Sequence, residues 1–250
     1  MAKKMLFYER ITPLNRDAHR DLRFVPAQGD CSFASNASVI PLAGAELVHG
    51  AREYPVLFSG EGDSIGLVAL TGLAQGQNLF VEPSGKWREG VHVPAFVRRY
   101  PFIFATSSGS TEGQPEEFTV CIDDSYAGFS TEETEGERIF DSEGKETEFL
   151  QRTVEFLRQL QAQMQRTREF ASRVEELGLL RSRDLQISDD SGGSYLVRDF
   201  RIVDEQALAA LDAETLSELH GKGWLGWLYA HLISLGNFDR LRRLGSGRNE

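Results

Sequence analysis

The sequence predicts an α+β fold in which a mostly antiparallel β region packs against a helical region. Residues 1–125 contain short apolar runs separated by Gly, Pro and Ser turns, a pattern typical of hairpins. Residues 147–244 instead carry apolar side chains at helical spacing. Residues 126–146 are rich in acidic residues and are expected to form a loop. We expect the whole chain, residues 1–250, to be a single domain of this type.

The composition limits the class of protein. A chain of 250 residues with 40% hydrophobic and 26% charged residues is typical of a soluble globular protein. The formal net charge is -11, and it is concentrated between residues 111 and 148, where thirteen Asp and Glu residues stand against two basic residues. Nucleic-acid binding is disfavoured, because neutralising phosphates requires a basic surface. Residues 1–14 lack a signal-peptide pattern and no segment is long enough to span a membrane, so we expect a cytoplasmic protein.

A sequence repeat organises the β region. Residues 52–58 are REYPVLF and residues 98–104 are RRYPFIF. Each copy follows a stretch of helical character and precedes a turn and a second strand, at residues 65–70 and 118–122. Because proline ends a helix and fixes the direction in which the chain leaves it, the copies predict a pseudo-duplicated helix–strand–turn–strand unit. The alternative is a coincidence of two Tyr-Pro pairs.

Further strands and one long helix complete the predicted elements. We expect a strand at residues 4–8, a hairpin at residues 78–87 and a late hairpin within residues 185–201. Residues 147–177 have an apolar stripe and end at Gly178, which predicts an amphipathic helix of about 45 Å. The stripe would allow a homodimer, but packing on the chain's own sheet is the favoured interpretation.

Two helices are predicted near the C-terminus, at residues 205–211 and 213–235. Asp204 and Asp212 stand where N-caps belong. The second helix is apolar nearly all round, and such helices are normally buried. We therefore expect it to be the buried helix around which the rest of the chain packs.

Three glycines, Gly221, Gly223 and Gly226, lie inside this second predicted helix. Each costs about 1 kcal/mol relative to alanine in a helix interior. Close approach of another backbone would offset that cost and is the favoured explanation. A ligand held between Trp224 and Trp227 is the alternative.

Several titratable residues are candidates for catalysis or metal binding. His220 and His231 would lie on one helix face about 16 Å apart, too far to share a metal ion. Each is expected to be a histidine hydrogen-bonded to the fold, with a catalytic role as the alternative. Asp123 and Asp124 suit either a metal site or a solvated turn, and the turn is favoured. We expect no cofactor and no bound metal.

Arginine and aromatic residues cluster just before and within the second copy of the repeat. Such a surface can hold an anionic or aromatic ligand. It can equally be the core-facing side of a hairpin whose arginines extend outward into solvent, and this second interpretation is favoured. The candidate ligand- or partner-binding residues of the chain are Trp87, Arg98, Arg99, Tyr100, His220, Trp224, Trp227 and His231.

Several longer motifs resemble the bacterial SapC family over nearly the whole chain. They are REYPVLF at 52–58, GLAQGQNLFVEPSGKW at 72–87, VPAFVRRYPF at 93–102, FLQRTVEFLRQLQ at 149–161 and LHGKGWLGWLYAHLISLGNFDRL at 219–241. The family is named after a member linked to a surface-layer locus, and it is distinct from the membrane permease of the same name. The resemblance implies a role at the cell surface or in nutrient uptake. It also implies a partner among the products of neighbouring genes, which encode TonB-dependent receptors, cupin-like proteins and halogenase-like flavoproteins. It supplies no reaction and no catalytic residues.

Two functions follow as hypotheses. The favoured one is a soluble, non-catalytic accessory or binding protein that acts beside a surface-layer or uptake system and binds a protein or a small molecule. The alternative is an enzyme, or the partner of an enzyme, that acts on a small aromatic or anionic substrate. Its site would lie between residues 98–104 and residues 216–235. A self-assembling subunit is a third, purely structural interpretation.

Overall fold

The computed structural model describes residues 5–106, 118–183, 185–188 and 194–246. The chain forms two compact units, each assembled from two separate stretches of sequence. The first unit comprises Met1–Asp30 and Arg98–Gln161, and the second comprises Cys31–Val97 and Ala162–Glu250.

The described residues form thirteen strands and seven α-helices. The strands are β1 (Ile11–Pro13), β2 (Arg23–Phe24), β3 (Val39–Pro41), β4 (Val56–Ser59), β5 (Gly66–Leu70), β6 (Phe102–Thr106), β7 (Phe118–Asp123), β8 (Phe129–Ser130), β9 (Glu137–Arg138), β10 (Leu180–Ser182), β11 (Leu185–Ser188), β12 (Ser194–Val197) and β13 (Phe200–Val203). The helices are α1 (Leu47–Gly50), α2 (Ala95–Arg98), α3 (Glu148–Glu176), α4 (Glu205–Ala209), α5 (Ala213–Gly221), α6 (Trp224–Ser234) and α7 (Phe238–Ser246). This α+β composition, with helices concentrated towards the C-terminus, confirms the predicted fold class.

The first unit contains two small antiparallel sheets and the N-terminal half of α3. One sheet has the strand order β1-β7-β6 and the other the order β8-β2-β9. The N-terminal members of the apolar stripe predicted for α3 lie in this unit's core, because the spacing of three and four residues places them on one side of the helix. The buried members of that core are Phe102, Ile122, Ile139, Phe140, Leu150, Val154 and Leu157.

Asp123 holds the N-terminal segment onto the first unit. Its carboxylate accepts hydrogen bonds from the backbone N–H groups of Glu9 (2.8 Å) and Arg10 (3.1 Å) and from the Ser125 hydroxyl (2.6 Å). Burial opposes the ionised form, but these hydrogen bonds outweigh it and lower the pKa of Asp123. Asp124 pairs with the Arg10 side chain. The prediction of a solvated turn is wrong for Asp123, which is fully buried at the end of β7, whereas Asp124 does lie in a turn. Both carboxylates tether the N-terminal segment.

The second unit is built on a five-stranded antiparallel sheet with the order β10-β13-β4-β5-β3. The C-terminal half of α3 and helices α5 and α6 supply apolar side chains to its core. The fully buried members include Leu47, Val56, Phe58, Ile65, Phe170, Val174, Val203, Leu219 and Leu228. The predicted late hairpin is present as the pair β11 and β12.

The pseudo-duplicated unit is confirmed. In the first copy α1 precedes β4, which pairs antiparallel with β5. In the second copy α2 precedes β6, which pairs antiparallel with β7. The two hairpins belong to different sheets, one in each unit. The sequence repeat thus marks a structural element that the chain uses twice.

The predicted helix 213–235 is interrupted. It forms α5 and α6, which are separated at Lys222 and Gly223, because Gly223 adopts a left-handed conformation with φ of 72°. Helical residues have φ near -63°, and glycine populates positive φ without steric cost. Asp204 and Asp212 cap α4 and α5 as predicted, each accepting backbone N–H hydrogen bonds.

Burial of α6 is one-sided. Trp224, Leu228 and His231 face the core, whereas Tyr229 and Ile233 are 53% and 73% exposed. The apolar composition therefore overstated how completely this helix is covered. Among the described residues, no atom lies within 4 Å of the position that a Cβ would take on Gly221 or Gly226. The expected close packing against those two glycines is wrong.

Three other local predictions differ from the structure. The acidic segment 126–146 contains β8 and β9, since both pair with β2. The strand expected at residues 4–8 lies further along as β1, at Ile11–Pro13. The hairpin expected at 78–87 forms, but without regular strands: Val81 and Trp87 make an antiparallel bridge, flanked by the backbone hydrogen bonds Glu82 N–H to Lys86 O and Arg88 N–H to Phe80 O.

None of the helices in the described ranges combines the length and the apolar character needed to cross a membrane.

Candidate ligand-binding site

A pocket of about 350 Å³ lies in the first unit, where the start of β6 and the N-terminal part of α3 supply its walls. Its apolar lining consists of the aromatic residues Phe24, Tyr100, Phe102, Phe149 and Phe156. Its polar residues are Arg98, Arg99, Glu137, Arg152 and Thr153. We call this site the arginine–aromatic pocket. Three of the eight candidate residues from the sequence, Arg98, Arg99 and Tyr100, line it.

Three phenylalanine rings form the floor of the pocket. Phe24 stacks on Phe149 with ring centroids 5.1 Å apart and planes 16° apart. Phe102 meets both rings edge-on, at 5.5 Å from Phe24 and 5.8 Å from Phe149. Rings in these arrangements gain about 0.5–1.5 kcal/mol per pair beyond simple burial. Because the three residues come from β2, β6 and α3, the floor is fixed by three separate elements.

Arg98 is the last residue of α2 and is exposed. Its guanidinium carbon lies 5.4 Å from the centroid of the Phe156 ring. Stacking of a guanidinium on an aromatic ring orients the side chain while its N–H groups stay directed outward. Arg98 therefore contributes a positive charge to the pocket lining, held against an aromatic ring.

Arg152 provides the second cation, on α3. Its guanidinium lies 3.3 Å from a carboxylate oxygen of Glu137 and 3.5 Å from one of Glu148. More than half of each of these three side chains is exposed. Ion pairs between exposed side chains contribute about 0–1 kcal/mol. A ligand carboxylate could therefore replace either glutamate at little cost.

Arg99 is mostly buried behind the pocket. Its guanidinium lies over the Tyr8 ring, 5.6 Å from the centroid. Burial lowers the pKa of Arg99 and raises the pKa of Tyr8 to about 12, and the attraction between the two side chains partly opposes both shifts. An arginine remains protonated in proteins, so Arg99 keeps its positive charge. The Tyr8 hydroxyl donates to the Phe102 carbonyl oxygen at 2.8 Å, which ties this wall to β6.

Tyr100 contacts the buried carboxylate of Asp123 described above. Its hydroxyl lies 3.4 Å from Asp123 Oδ2. Burial and the neighbouring carboxylate both raise the pKa of Tyr100. The phenol therefore stays neutral at physiological pH, and its ring serves as part of the apolar wall.

The charge of the pocket is opposite to that of the chain. Three arginines and one glutamate line it, whereas the formal net charge of the chain is -11. Arginine side chains beside aromatic rings favour an anion attached to an aromatic or apolar body.

The other candidates from the sequence lie in the second unit. Trp87 is buried, and its indole N–H donates to the Tyr54 hydroxyl at 3.1 Å. The Tyr54 hydroxyl in turn donates to the His92 carbonyl oxygen. Trp87 also stacks on Phe80. These contacts make Trp87 a core residue with a satisfied polar group.

Trp224 and Trp227 pack in the core of the second unit. Trp224 is buried against Phe170, with ring centroids 5.9 Å apart, and Lys222 lies 4.4 Å above its ring. Trp227 covers Gly44 so closely that a Cβ there would collide with the indole. The glycine against which Trp227 packs closely is thus Gly44, and not one of the glycines near Trp227 in the sequence.

His220 is exposed on α5, whereas His231 is fully buried in α6. The Nε2 atom of His231 accepts a hydrogen bond from the Val203 N–H at 3.1 Å, and its ring meets Phe58 edge-on. An Nε2 that accepts a backbone N–H cannot carry a proton, so this bond requires the neutral ring. Burial lowers the pKa of His231 to about 4, and the Val56 backbone opposes the shift in part. His231 therefore links α6 to β13 as a neutral side chain.

Sequence reasoning missed Phe24, Glu137, Phe149, Arg152 and Phe156 as pocket residues. A signal was present for three of them, because Phe149, Arg152 and Phe156 are separated by three and four residues and so share one face of a helix. This aromatic–arginine–aromatic pattern is the sequence signal that identifies one face of α3 as a candidate binding surface. The described residues contain no group of three or more His, Cys, Asp or Glu side chains arranged to hold a metal ion.

Comparison with known protein families gives a match over most of the chain. The family model described as SapC matches residues 14–241, which is most of the chain. No curated protein and no solved structure matches. The chain belongs to the SapC family.

Proposed function

We propose that the protein is a non-catalytic binding protein whose arginine–aromatic pocket holds an anionic group carried on an aromatic or apolar body. The observation that carries the proposal is a pocket lined by three arginines, Arg98, Arg99 and Arg152, together with interlocked phenylalanine rings. Family membership supports a role as an accessory of a surface-layer or nutrient-uptake system.

The chemistry of the lining residues supports binding. Guanidinium groups form strong, charge-assisted hydrogen bonds with carboxylates, but they stay protonated and do not transfer protons. The aromatic floor offers apolar contact to a ring. A volume of about 350 Å³ lies at the lower end of the range for small-molecule pockets, so a ligand group with a single ring is the appropriate size.

Calorimetric titration of the full chain with a matched series of small molecules tests the proposal. Phenylacetate carries the ring and the anion, phenylacetamide is its neutral counterpart, and benzylamine carries a cation. We expect phenylacetate to bind with a dissociation constant on the order of 0.1–1 mM and the other two at least about tenfold more weakly. Equal binding of phenylacetate and phenylacetamide would contradict the proposal.

Variants locate the binding to the pocket. Arg98→Gln and Arg152→Gln should each weaken phenylacetate binding about tenfold, because each removes a charge-assisted hydrogen bond. Arg158→Gln, an exposed arginine on the same helix that does not line the pocket, is the matched control and should have no effect. Full affinity in both pocket variants would refute this site. Recovery of a chemically altered ligand would instead favour the enzyme hypothesis.

A further inference from the structure

A second depression lies next to the pocket on the exposed surface of α3. It has a volume of about 400 Å³ and shares Arg152 and Phe156 with the arginine–aromatic pocket. Its other residues are Glu148, Gln151, Glu155 and Gln159, all of them exposed. We call these four residues the acidic strip. The pocket and the acidic strip form one continuous surface, because they meet at two common side chains.

The charge changes sign along this surface. The pocket presents Arg98 and Arg152, and the strip presents Glu148 and Glu155. Among the described residues, each strip carboxylate has an exposed partner on the same helix. Glu148 pairs with Arg152 at 3.5 Å, and Glu155 accepts from Gln159 at 2.9 Å. Side-chain pairs of this kind contribute little to stability, so both carboxylates can exchange partners with an incoming ligand.

A ligand that uses the whole surface must carry both charges. A small aromatic anion fills the pocket but leaves the acidic strip without a complement. We propose, building on the proposed function, that the natural ligand is a peptide segment of a partner protein. An aromatic residue beside an acidic residue occupies the pocket, and a lysine or arginine further along the segment lies on the acidic strip.

The geometry sets the spacing within that segment. From Phe149, whose ring lies in the pocket floor, to Glu155 on the strip the helix rises about 9 Å, at 1.5 Å per residue. An extended peptide covers this distance in about three residues, at roughly 3.3 Å each. The basic residue should therefore stand about three positions from the aromatic residue.

Two blocked pentapeptides and one shorter peptide test the inference with the full chain. Acetyl-Glu-Phe-Ser-Gly-Lys-amide and its reversed-order counterpart, acetyl-Lys-Gly-Ser-Phe-Glu-amide, cover both chain directions. Acetyl-Glu-Phe-amide contains the pocket group alone. We expect one pentapeptide to bind about three- to fivefold more tightly than the short peptide, the gain typical of one exposed ion pair.

A charge swap identifies the strip as the source of the gain. Glu155→Lys should abolish the advantage of the favoured pentapeptide, and exchanging the peptide's lysine for glutamate should restore it on that variant. Glu133→Lys changes the net charge equally at an exposed position outside the strip and should leave the advantage intact. Circular dichroism checks that the variants are folded.

The outcomes separate this inference from the proposed function. If phenylacetate binds but neither pentapeptide binds better than the short peptide, the partner is not a peptide of this type and the pocket proposal stands. If Glu155→Lys leaves the gain unchanged, the acidic strip is refuted as a docking surface. If neither phenylacetate nor any of the peptides binds, both proposals fail.

Discussion

Protonation of His231 should destabilise the second unit as the pH falls. The ordinary pKa of a histidine is 6.5, and burial lowers that of His231 to about 4. Between these values the unfolded chain binds a proton that the folded chain does not, so the free energy of unfolding decreases as the pH falls. A difference of about 2.5 pKa units corresponds to about 3 kcal/mol at 1.36 kcal/mol per unit.

The loss should follow a defined course. It amounts to about 1 kcal/mol between pH 7 and pH 5.5 and reaches about 3 kcal/mol near pH 4. The structural reason is the Val203 N–H, which donates to Nε2 and would face a second donor if that nitrogen were protonated. His231→Asn removes the titration while retaining an oxygen acceptor, so the variant should lose less stability over the same pH range.

Urea unfolding, monitored by tryptophan fluorescence, measures the loss of stability in the second unit. The three tryptophans of the chain, Trp87, Trp224 and Trp227, all belong to the second unit, as does His231. His220→Asn changes an exposed histidine of the same region and should leave the wild-type pH dependence in place. Parallel pH profiles for the wild type and His231→Asn would refute the reasoning.

Two further substitutions test local features of the second unit by the same urea titration. Gly226→Ala should stabilise it by about 0.5–1 kcal/mol, because the position is helical and open, whereas Gly223→Ala should destabilise it by about 1 kcal/mol, because φ is 72° there. A stabilising effect at Gly223 would contradict the helix break. Tyr54→Phe should cost about 1–3 kcal/mol, since it leaves the buried Trp87 indole N–H and the His92 carbonyl oxygen without their hydroxyl partner. Tyr229→Phe, at an exposed tyrosine, is the control and should change stability by less than about 0.5 kcal/mol.

Local chemistry made several elements predictable from sequence. The Tyr-Pro pairs identified both hairpins of the repeat, because proline restricts the backbone on either side of it. Asp204 and Asp212 marked helix starts, because their side chains satisfy backbone N–H groups within three residues. The long helix followed from a periodicity sustained over eight turns.

Features that depend on distant contacts were not predictable. Gly221, Gly223 and Gly226 are equivalent in sequence, and which of them breaks the helix depends on how α5 and α6 each pack. The sequence identifies the segment Arg98–Tyr100 as a candidate site, but it does not identify the phenylalanine rings that form the pocket floor. Phe24 and Phe149 are stacked although 125 residues separate them in the chain. A contact between residues so far apart cannot be predicted from the pattern of neighbouring residues.

The composition of each unit from two stretches of chain bears on how the protein folds during synthesis. β1 finds its partner β7 only after more than one hundred further residues have been made. The second unit likewise starts at Cys31 and is completed by helices near the C-terminus. Closing such long loops costs entropy before any contact compensates for it, and contacts of high sequence separation slow folding. No single cut in the chain isolates either unit, because each unit has a stretch that lies between the two stretches of the other. The strands β1 and β2 cannot make their native contacts until β7, β8 and β9 have been synthesised, so the N-terminal segment is made first but completes its sheets late.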